Sequence, residues 1–480
     1  MPSVLIIGAG FGGIGMAIEL RRAGFTDVTV LEKAAELGGV WRENTYPGAG
    51  CDIPSPYYSF SYAPNPAWPM RFSPQADIKA YLARVAASYG IRPRYGTEVT
   101  AASWDADRAR WIVETGTGEV LAADVLVPAV GQLSRPSMPD IPGMATFAGA
   151  GFHSARWDHS VDLTGKRVAV IGTGASAIQL VPAIQPTVAR LTVFQRTAPY
   201  LVPKPDKRYR GWHHRLYRRL PLTQQAERAY FWTVCEVATL GVIGNRAITR
   251  LVEWLSLRHL RKQVPDPALR ARLTPDYRIG CKRVLFSNDY FPALGQPNVH
   301  VETAPIASIT PSGVVTADRV THDVDVIVYG TGFTATDFLA PIKIRGLAGV
   351  DLGSAWAGGA RAYLGITVPG FPNMFLMYGP NTNLGAGSIV YMLERQARYI
   401  RQAVAHIADR GSGLDVRAEV ADRYDVEMQR RLADTAWTTC RSWYREGTGR
   451  VSTNWPGLVT EYHRRTKTLA VSDFRPVVPT

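Results

Sequence analysis

The 480-residue sequence predicts an α/β fold with two Rossmann-like dinucleotide-binding domains and a helical insertion. First, a short apolar run ends in a glycine-rich loop twice, at Gly8 and at Gly172. Second, each loop leads into a helix pattern and then into another apolar run, which is the βαβ order of nucleotide-binding folds. Third, residues 203–275 are basic and rich in Trp, Tyr, Leu and Arg, and we predict helices there.

The first unit has the glycine spacing of a phosphate-binding loop. Gly8 permits the tight turn after the strand, Gly10 lets the backbone approach a pyrophosphate at the helix N-terminus, and Gly13 lets helix and strand pack closely. The second strand, Val28–Leu31, ends in Glu32, and an acid at that position accepts hydrogen bonds from a ribose. This unit is therefore predicted to bind FAD or NAD.

The second unit repeats this order with the opposite charge. Its loop is Gly172-Thr173-Gly174-Ala175-Ser176-Ala177, and the strand after its helix leads into Gln195-Arg196-Thr197. Arg196 occupies the position that Glu32 holds in the first unit. An arginine there suits a 2′-phosphate, so we predict that NADP(H) binds to this unit.

Charge and cysteine content argue against several classes of protein. The net charge of +14 is concentrated between Lys204 and Arg272 without a known nucleic-acid-binding pattern, so a solvated helical face is favoured over nucleic-acid binding. None of the four cysteines belongs to a CxxC motif or has a histidine at metal-ligand spacing, so no disulfide framework, redox dithiol or metal site is expected. There is no signal-peptide pattern, and the apolar stretch 230–244 is shorter than a bilayer span, which predicts a cytoplasmic protein.

The stretch from Phe147 to Asp158 lies between the two glycine loops. Taken alone it shows no clear helical or strand period and is predicted to be a linker. It matches the pattern F-x-G-x-x-x-H-x-x-x-W-[PD] through Phe147, Gly149, His153, Trp157 and Asp158. With the two nucleotide loops around it, this pattern resembles the flavin-dependent class B monooxygenases, and its Trp-Asp ending is similar to the Baeyer–Villiger branch of that family.

The resemblance implies an enzyme with FAD in the first domain and NADPH in the second. In that family NADPH reduces FAD, and O2 adds at the flavin C4a carbon to give a peroxide. The peroxide inserts oxygen next to a ketone carbonyl, which yields an ester or a lactone. The implied substrate is a small apolar ketone. Two alternatives stay open: oxygenation of nitrogen or sulfur, and an FAD/NADPH reductase that serves a partner.

The resemblance also implies roles for single residues. Arg283 is the arginine beside the flavin that stabilises the peroxide and the anionic adduct, because an arginine stays protonated at any working pH. Asp52 holds the nicotinamide amide and positions that arginine. Arg196, Thr197 and Lys282 contact the 2′-phosphate.

We call the pattern from Phe147 to Asp158 the fingerprint, and the segment that carries it the crossing between the two domains. The fingerprint residues are expected to hold the geometry of this crossing. His153 is predicted to make a structural hydrogen bond, Trp157 to pack, and Asp158 to cap a turn. Gly149 and Gly151 are predicted to give the crossing the freedom to move one cofactor against the other.

Gly39 and Trp41 belong to a glycine-rich segment of the first domain, which predicts backbone lying against a flat ligand.

The domain boundaries follow from these assignments. The predicted parts are an FAD-binding domain of residues 1–145 and 330–480, a linker of residues 146–160, an NADPH-binding domain of residues 161–202 and 276–329, and the insertion of residues 203–275.

Two departures from the family pattern bear on substrate binding. The chain starts at the first strand, where many ketone-oxidising relatives carry an N-terminal extension that forms part of a surface lid. The segment 383–387 has Ala386 where many similar sequences place histidine. In addition, the basic helical insertion is a candidate for peripheral contact with a membrane surface, where it would collect apolar substrates.

Overall fold

The computed structural model describes residues 1–440 and 442–479. Most of its strands are short, and those of the two nucleotide units are the apolar runs seen in the sequence. In chain order the strands are β1 Val4–Ile7, β2 Val28–Leu31, β3 Val99–Asp105, β4 Arg110–Thr115, β5 Val120–Ala123, β6 Val125–Pro128, β7 Ala150–His153, β8 Arg167–Ile171, β9 Arg190–Phe194, β10 Leu201–Val202, β11 Leu285–Phe286, β12 Val299–Glu302, β13 Ile306–Thr310, β14 Gly313–Thr316, β15 Thr321–Asp323, β16 Val326–Tyr329, β17 Lys343–Arg345, β18 Gly413–Val416 and β19 Phe474–Val477.

The helices cover the sheets and form the insertion. They are α1 Phe11–Arg22, α2 Val40–Glu43, α3 Gln75–Ser88, α4 Ala175–Ile184, α5 Gly211–Arg219, α6 Pro221–Val242, α7 Arg246–Gln263, α8 Pro267–Arg272, α9 Tyr290–Leu294, α10 Leu352–Ala355, α11 Ile389–Arg410, α12 Ala418–Ala433 and α13 Val459–Arg465.

The first domain is built on a parallel sheet in the order β2-β1-β6. Val4 pairs with Val28 on one side and with Val125 on the other, so the predicted βαβ unit is confirmed. Strand β1 is buried along its whole length, which explains its unbroken apolar sequence. Helix α11, in the C-terminal part of the chain, packs against α1 and returns this part of the chain to the first domain.

The second domain is a five-stranded parallel sheet in the order β12-β9-β8-β16-β7. Helix α4 connects β8 to β9, as the second glycine loop predicts. Its core contains Val168, Val170, Leu191 and Val328. A separate antiparallel sheet, β13-β14-β15, lies between β12 and β16 in the chain. The predicted fold class, with two dinucleotide-binding domains and a helical insertion, is confirmed.

The fingerprint stretch is more ordered than a linker. Strand β7 pairs in parallel with β16, so residues 150–153 are the edge strand of the second sheet. A Cβ atom on Gly149 would lie 2.3 Å from the Asp325 carbonyl oxygen and 2.7 Å from the Phe147 ring. Glycine therefore serves close packing at this position, and the freedom expected of the crossing stays a prediction. A four-residue edge strand containing glycine is too short to show a period in the sequence.

The insertion consists of helices α5 to α8, as predicted. The insertion exposes large apolar side chains as well as many arginines. These side chains are Trp212, Leu220, Leu222, Tyr230, Val234, Val237, Leu251, Trp254 and Leu255. Within the described residues, no helix combines the length and the apolar character needed to cross a membrane.

Candidate active site

A cavity of about 400 Å³ opens beside the glycine loop of the first domain. Because Arg283 enters from the segment before β11, residues of both nucleotide-binding parts of the chain meet at this cavity. Its wall contains seven of the residues that the sequence predicts for cofactor binding or catalysis, namely Gly8, Gly10, Glu32, Gly39, Trp41, Asp52 and Arg283. The other predicted cofactor residues, Gly13, Gly172, Gly174, Ser176, Arg196, Thr197 and Lys282, do not line it.

Glycine is required in the first loop for close backbone contact. A Cβ atom on Gly13 would lie 1.8 Å from the carbonyl oxygen of Gly8, so α1 touches the loop backbone directly. Gly8 itself has a φ of +107°, a conformation that disfavours any larger residue. Gly10 and Gly39 face each other, since a Cβ on Gly39 would lie 3.2 Å from the Gly10 Cα. The free N–H groups at the start of α1 thus stand at the cavity wall, where they fit a pyrophosphate.

Glu32 is buried and holds the loop together. Its carboxylate accepts hydrogen bonds from the N–H of Ala9 at 2.8 Å and from Arg42 Nη1 at 2.9 Å. The N–H of Ala34 donates at 3.0 Å to Oε1, the same oxygen that accepts from Arg42, so Oε2 accepts only from Ala9. Because each carboxylate oxygen has two lone pairs, Glu32 retains capacity for a ribose hydroxyl.

Arg283 and Asp52 form a bidentate ion pair across the cavity. Arg283 Nη2 donates to both carboxylate oxygens of Asp52, at 2.8 and 2.7 Å, and Nε donates to Oδ2 at 3.1 Å. The negative charge of Asp52 raises the pKa of Arg283 further above its ordinary value. The guanidinium is therefore fixed in position and permanently charged.

The second loop presents an open cationic surface. A Cβ atom on Gly174 would meet no atom within 4 Å, and Ser176 lies half-buried in the first turn of α4. Arg196 is exposed. Burial lowers the pKa of Lys282, and the nearby charge of Arg196 lowers it further, so these two cations face the same space. Thr197 joins this turn to the loop, since its carbonyl oxygen accepts a hydrogen bond from Thr173 Oγ1 at 2.9 Å.

Comparison with known proteins identifies the family. Residues 5–216 match the family described as pyridine nucleotide-disulphide oxidoreductase. A Baeyer-Villiger monooxygenase of Streptomyces coelicolor is 45% identical over 482 residues, which cover 99% of this chain and 93% of that protein. A Baeyer-Villiger monooxygenase of Pseudomonas aeruginosa is 43% identical and covers 98% of this chain and 90% of its own length. The chain belongs to the Baeyer–Villiger monooxygenases.

Solved structures agree with this assignment. The structure of OTEMO in complex with FAD and NADP superposes with a TM-score of 0.89 at 29% identity and covers 99% of both chains. The present Baeyer–Villiger monooxygenase therefore uses FAD and NADPH. It is an oxidoreductase that inserts one oxygen atom of O2 next to a ketone carbonyl to give an ester or a lactone.

One cavity residue was missed in the sequence. Gln132 follows β6 and is buried, and its Nε2 donates to the carbonyl oxygens of Tyr378 at 2.9 Å and Gly379 at 3.1 Å. Its Oε1 has no hydrogen-bond partner among the described residues. An unpaired buried acceptor in the cavity wall fits a hydroxyl or N–H group of the FAD that this monooxygenase binds. The only sequence signal was a polar residue directly after Gly131, at the end of a buried strand.

The fingerprint residues lie beside the active site and not in it. His153 Nδ1 accepts a hydrogen bond from the N–H of Ala155 at 3.1 Å, and burial lowers the pKa of His153. Trp157 packs edge-on against Phe152 with ring centroids 5.0 Å apart. Asp158 Oδ1 accepts hydrogen bonds from the N–H and Oγ of Ser160. These contacts support the predicted roles in holding the domain junction.

A disulfide bond joins Cys281 to Cys440. This single bond was not expected from the sequence, which predicts no disulfide framework. The two partners are separated by 159 residues, and only the return of the chain to the first domain brings them together, so their spacing gave no signal. The bond lies two residues before Arg283 and ties the segment that carries this arginine to the C-terminal part of the chain. Cys51 and Cys235 are free.

Proposed function

We propose that the Asp52–Arg283 pair is the catalytic centre of this monooxygenase. The observation that supports this proposal is the bidentate pair in the wall of the cavity, formed by residues from both nucleotide-binding parts of the chain. Bound and reduced FAD supplies the activation of O2. Asp52 engages Nε and Nη2 of the arginine, which leaves Nη1 without a hydrogen bond among the described residues. Nη1 is therefore available to stabilise negative charge on the reacting oxygen and on the carbonyl oxygen of the ketone.

Asp52 is proposed to have two tasks. Its carboxylate orients the guanidinium, and its remaining acceptor capacity binds the amide of the nicotinamide ring. Both tasks use the negative charge of the carboxylate. Replacing Asp52 by asparagine keeps the shape but removes the charge that holds the arginine.

The experiment compares Arg283→Ala, Asp52→Asn and the control Arg108→Ala, which removes an exposed arginine. Ester formation and NADPH consumption are measured separately for each purified enzyme with bound FAD. We expect Arg283→Ala to lower ester formation by about 10²- to 10³-fold, as for the loss of a group that stabilises an oxyanion. The control keeps the rate of the unchanged enzyme. Undiminished ester formation by Arg283→Ala would show that the pair is not the catalytic centre.

The lining of the cavity supports a small apolar ketone as substrate. Beside the ion pair it contains Ile53, Tyr58, Met377 and Leu384. Such a wall excludes water and favours an apolar molecule whose single polar group reaches Arg283. A panel of cyclic and linear ketones, offered together with a sulfide, tests the proposal through product masses. Esters as the main products support it, and sulfoxide without ester would favour the heteroatom-oxygenating alternative.

The insertion is proposed to contact anionic membrane surfaces. Tyr230, Val234 and Val237 follow one face of α6, and Leu251 and Trp254 are exposed on α7. The surrounding arginines supply the charge that such a surface attracts. Co-sedimentation with phosphatidylserine vesicles at low salt should be reduced by Trp254→Glu. It should be unchanged by Val120→Glu, which alters an exposed valine on β5 of the first domain. Equal binding of the two variants to the vesicles would contradict the proposal.

A cytoplasmic location stays a prediction. The need for NADPH as reductant supports it. Cell fractionation with antibodies against the chain is the direct measurement.

A further inference from the structure

Three side chains of the second domain converge outside the active site. His300 and Glu302 belong to β12, and His322 belongs to β15. Because alternate residues of a strand face the same side, His300 and Glu302 project from one face of the edge strand. One nitrogen or oxygen atom from each of the three residues lies within 4.8 Å of the others.

The distances are those of metal ligands. Glu302 Oε2 lies 3.4 Å from His300 Nε2 and 3.3 Å from His322 Nε2. A tetrahedral zinc ion with bonds of about 2.0–2.1 Å holds its ligand atoms about 3.3–3.4 Å apart. The side chain of His300 is 39% exposed, and its Nε2 already forms a hydrogen bond with Glu302 Oε2.

The carboxylate of Glu302 is held in an orientation that suits a metal ligand. Glu302 Oε1 accepts hydrogen bonds from the N–H groups of Thr303 at 2.7 Å and Ala304 at 2.8 Å. These bonds occupy one oxygen and leave Oε2 toward both imidazoles. Outer contacts of this kind orient the ligands of metal sites.

His322 gives independent support, because it is buried without a hydrogen bond for its Nε2. The residue is 9% exposed, and Nε2 has no hydrogen-bond partner among the described residues although Glu302 is close. The nitrogen and the carboxylate do not have hydrogen-bond geometry. Buried polar atoms are nearly always paired, and a shared metal ion would pair this one.

We propose that His300, Glu302 and His322 bind one Zn²⁺ ion, with water as the fourth ligand. Two imidazoles and a carboxylate are a donor set that zinc accepts. The ion joins β12 to β15 and thereby fixes the small antiparallel sheet to the edge of the parallel sheet. This site is not predictable from the sequence, because its ligands come from two strands and include no cysteine.

The test measures zinc bound to the holoenzyme without an affinity tag. The protein is treated with a chelator, supplied with excess ZnCl2 and passed through gel filtration, and metal content is read by mass spectrometry. We expect one zinc per chain in the unchanged enzyme and in the control His406→Ala, which removes a histidine from α11. We expect at least tenfold weaker binding by His300→Ala and by Glu302→Gln.

A second measurement keeps the outcome interpretable. Zinc should raise the thermal midpoint of the unchanged enzyme and of His406→Ala but not that of His300→Ala. Retention of FAD shows that each variant is folded. The proposal is overturned if the unchanged enzyme holds no stoichiometric zinc, or if His300→Ala and Glu302→Gln hold as much as it does.

Discussion

The two nucleotide units share one chain order but differ in how closely they surround their ligand. In the first unit Gly10 and Gly39 face each other across the loop, and Glu32 is buried among backbone N–H groups and Arg42. In the second unit Gly174 has open space around it and Arg196 is exposed. The first unit is thus enclosed and the second is accessible.

This difference corresponds to the different fates of the two cofactors. We infer that the first unit holds FAD, because an enclosed site with fixed backbone contacts suits a cofactor that stays bound between turnovers. We infer that the second unit holds NADPH, because contacts through two long cationic side chains at the surface suit a cofactor that must bind and leave. The comparison predicts that changes in the first unit affect folding and FAD content, whereas changes in the second unit affect only NADPH binding.

The largest effect is expected from Gly13→Ala. The added Cβ would lie 1.8 Å from the Gly8 carbonyl oxygen, and because that oxygen belongs to the backbone, no side-chain rotation can relieve the contact. We expect a loss of stability above the roughly 1–3 kcal/mol typical of overpacked side chains, together with loss of FAD. Gly174→Ala is the matched control, because a Cβ there meets nothing within 4 Å. The measurements are the flavin-to-protein ratio and the free energy of unfolding, and full flavin occupancy in Gly13→Ala would contradict the comparison.

Breaking the disulfide bond is expected to have the next largest effect. Cys281–Cys440 ties the segment of Arg283 to the C-terminal part of the chain, so it couples the two units. Cys440→Ser should lower the free energy of unfolding by about 2–4 kcal/mol. The free Cys235 provides the control Cys235→Ser. Denaturant unfolding with and without dithiothreitol checks the result, since the reductant should destabilise the unchanged enzyme and leave Cys440→Ser unaffected.

Removing the cations of the second unit should change cofactor preference alone. On our proposal that Arg196 and Lys282 contact the 2′-phosphate, Arg196→Ala and Lys282→Ala each delete one charge-assisted contact, worth about 1.5–3 kcal/mol. We therefore expect the KM for NADPH to rise by about 10- to 100-fold while the KM for NADH and the flavin content change little. The control is Arg190→Ala, an exposed arginine at the start of β9. An equal rise for both nucleotides would show that these side chains do not bind the 2′-phosphate.

The sequence predicted those parts of the molecule that depend on local patterns. The apolar runs and glycine spacing located β1, α1 and β2 to within a few residues, since close backbone contact leaves glycine as the only choice at Gly13. The neighbourhood of Asp52 and Arg283 came from the family resemblance, because no local pattern links residues so far apart in the chain.

What the sequence did not predict depends on tertiary topology. Strand β7 exists because β16 offers it an edge, and the Cys281–Cys440 bond exists because the C-terminal segment returns to the first domain. The unpaired acceptor of Gln132 likewise depends on where residues 378–379 place their carbonyl groups. Each of these features arises from a partner that is remote in the chain, and a single sequence carries no signal for such a pairing.

The smallest effect concerns an ion pair between helices α12 and α13 in the C-terminal part of the chain. Arg465 Nη1 on α13 donates to Glu427 Oε2 on α12 at 3.1 Å. This hydrogen bond lowers the pKa of Glu427 below its ordinary value of 4.5, against a smaller opposing effect of burial. A carboxyl whose pKa is lowered by folding adds stability that is fully present above its unfolded pKa and is lost as the pH falls through its folded pKa.

Glu427→Gln should therefore cost no more than about 1 kcal/mol at pH 7, because the pair is partly exposed to solvent. The difference from the unchanged enzyme should shrink as the pH falls below 4.5 and through the lowered pKa of the carboxyl. The control is Glu114→Gln, an exposed carboxyl on β4. Denaturant unfolding at a series of pH values measures both variants. A difference that stays constant with pH would mean that Glu427 stabilises the fold through packing and not through its charge.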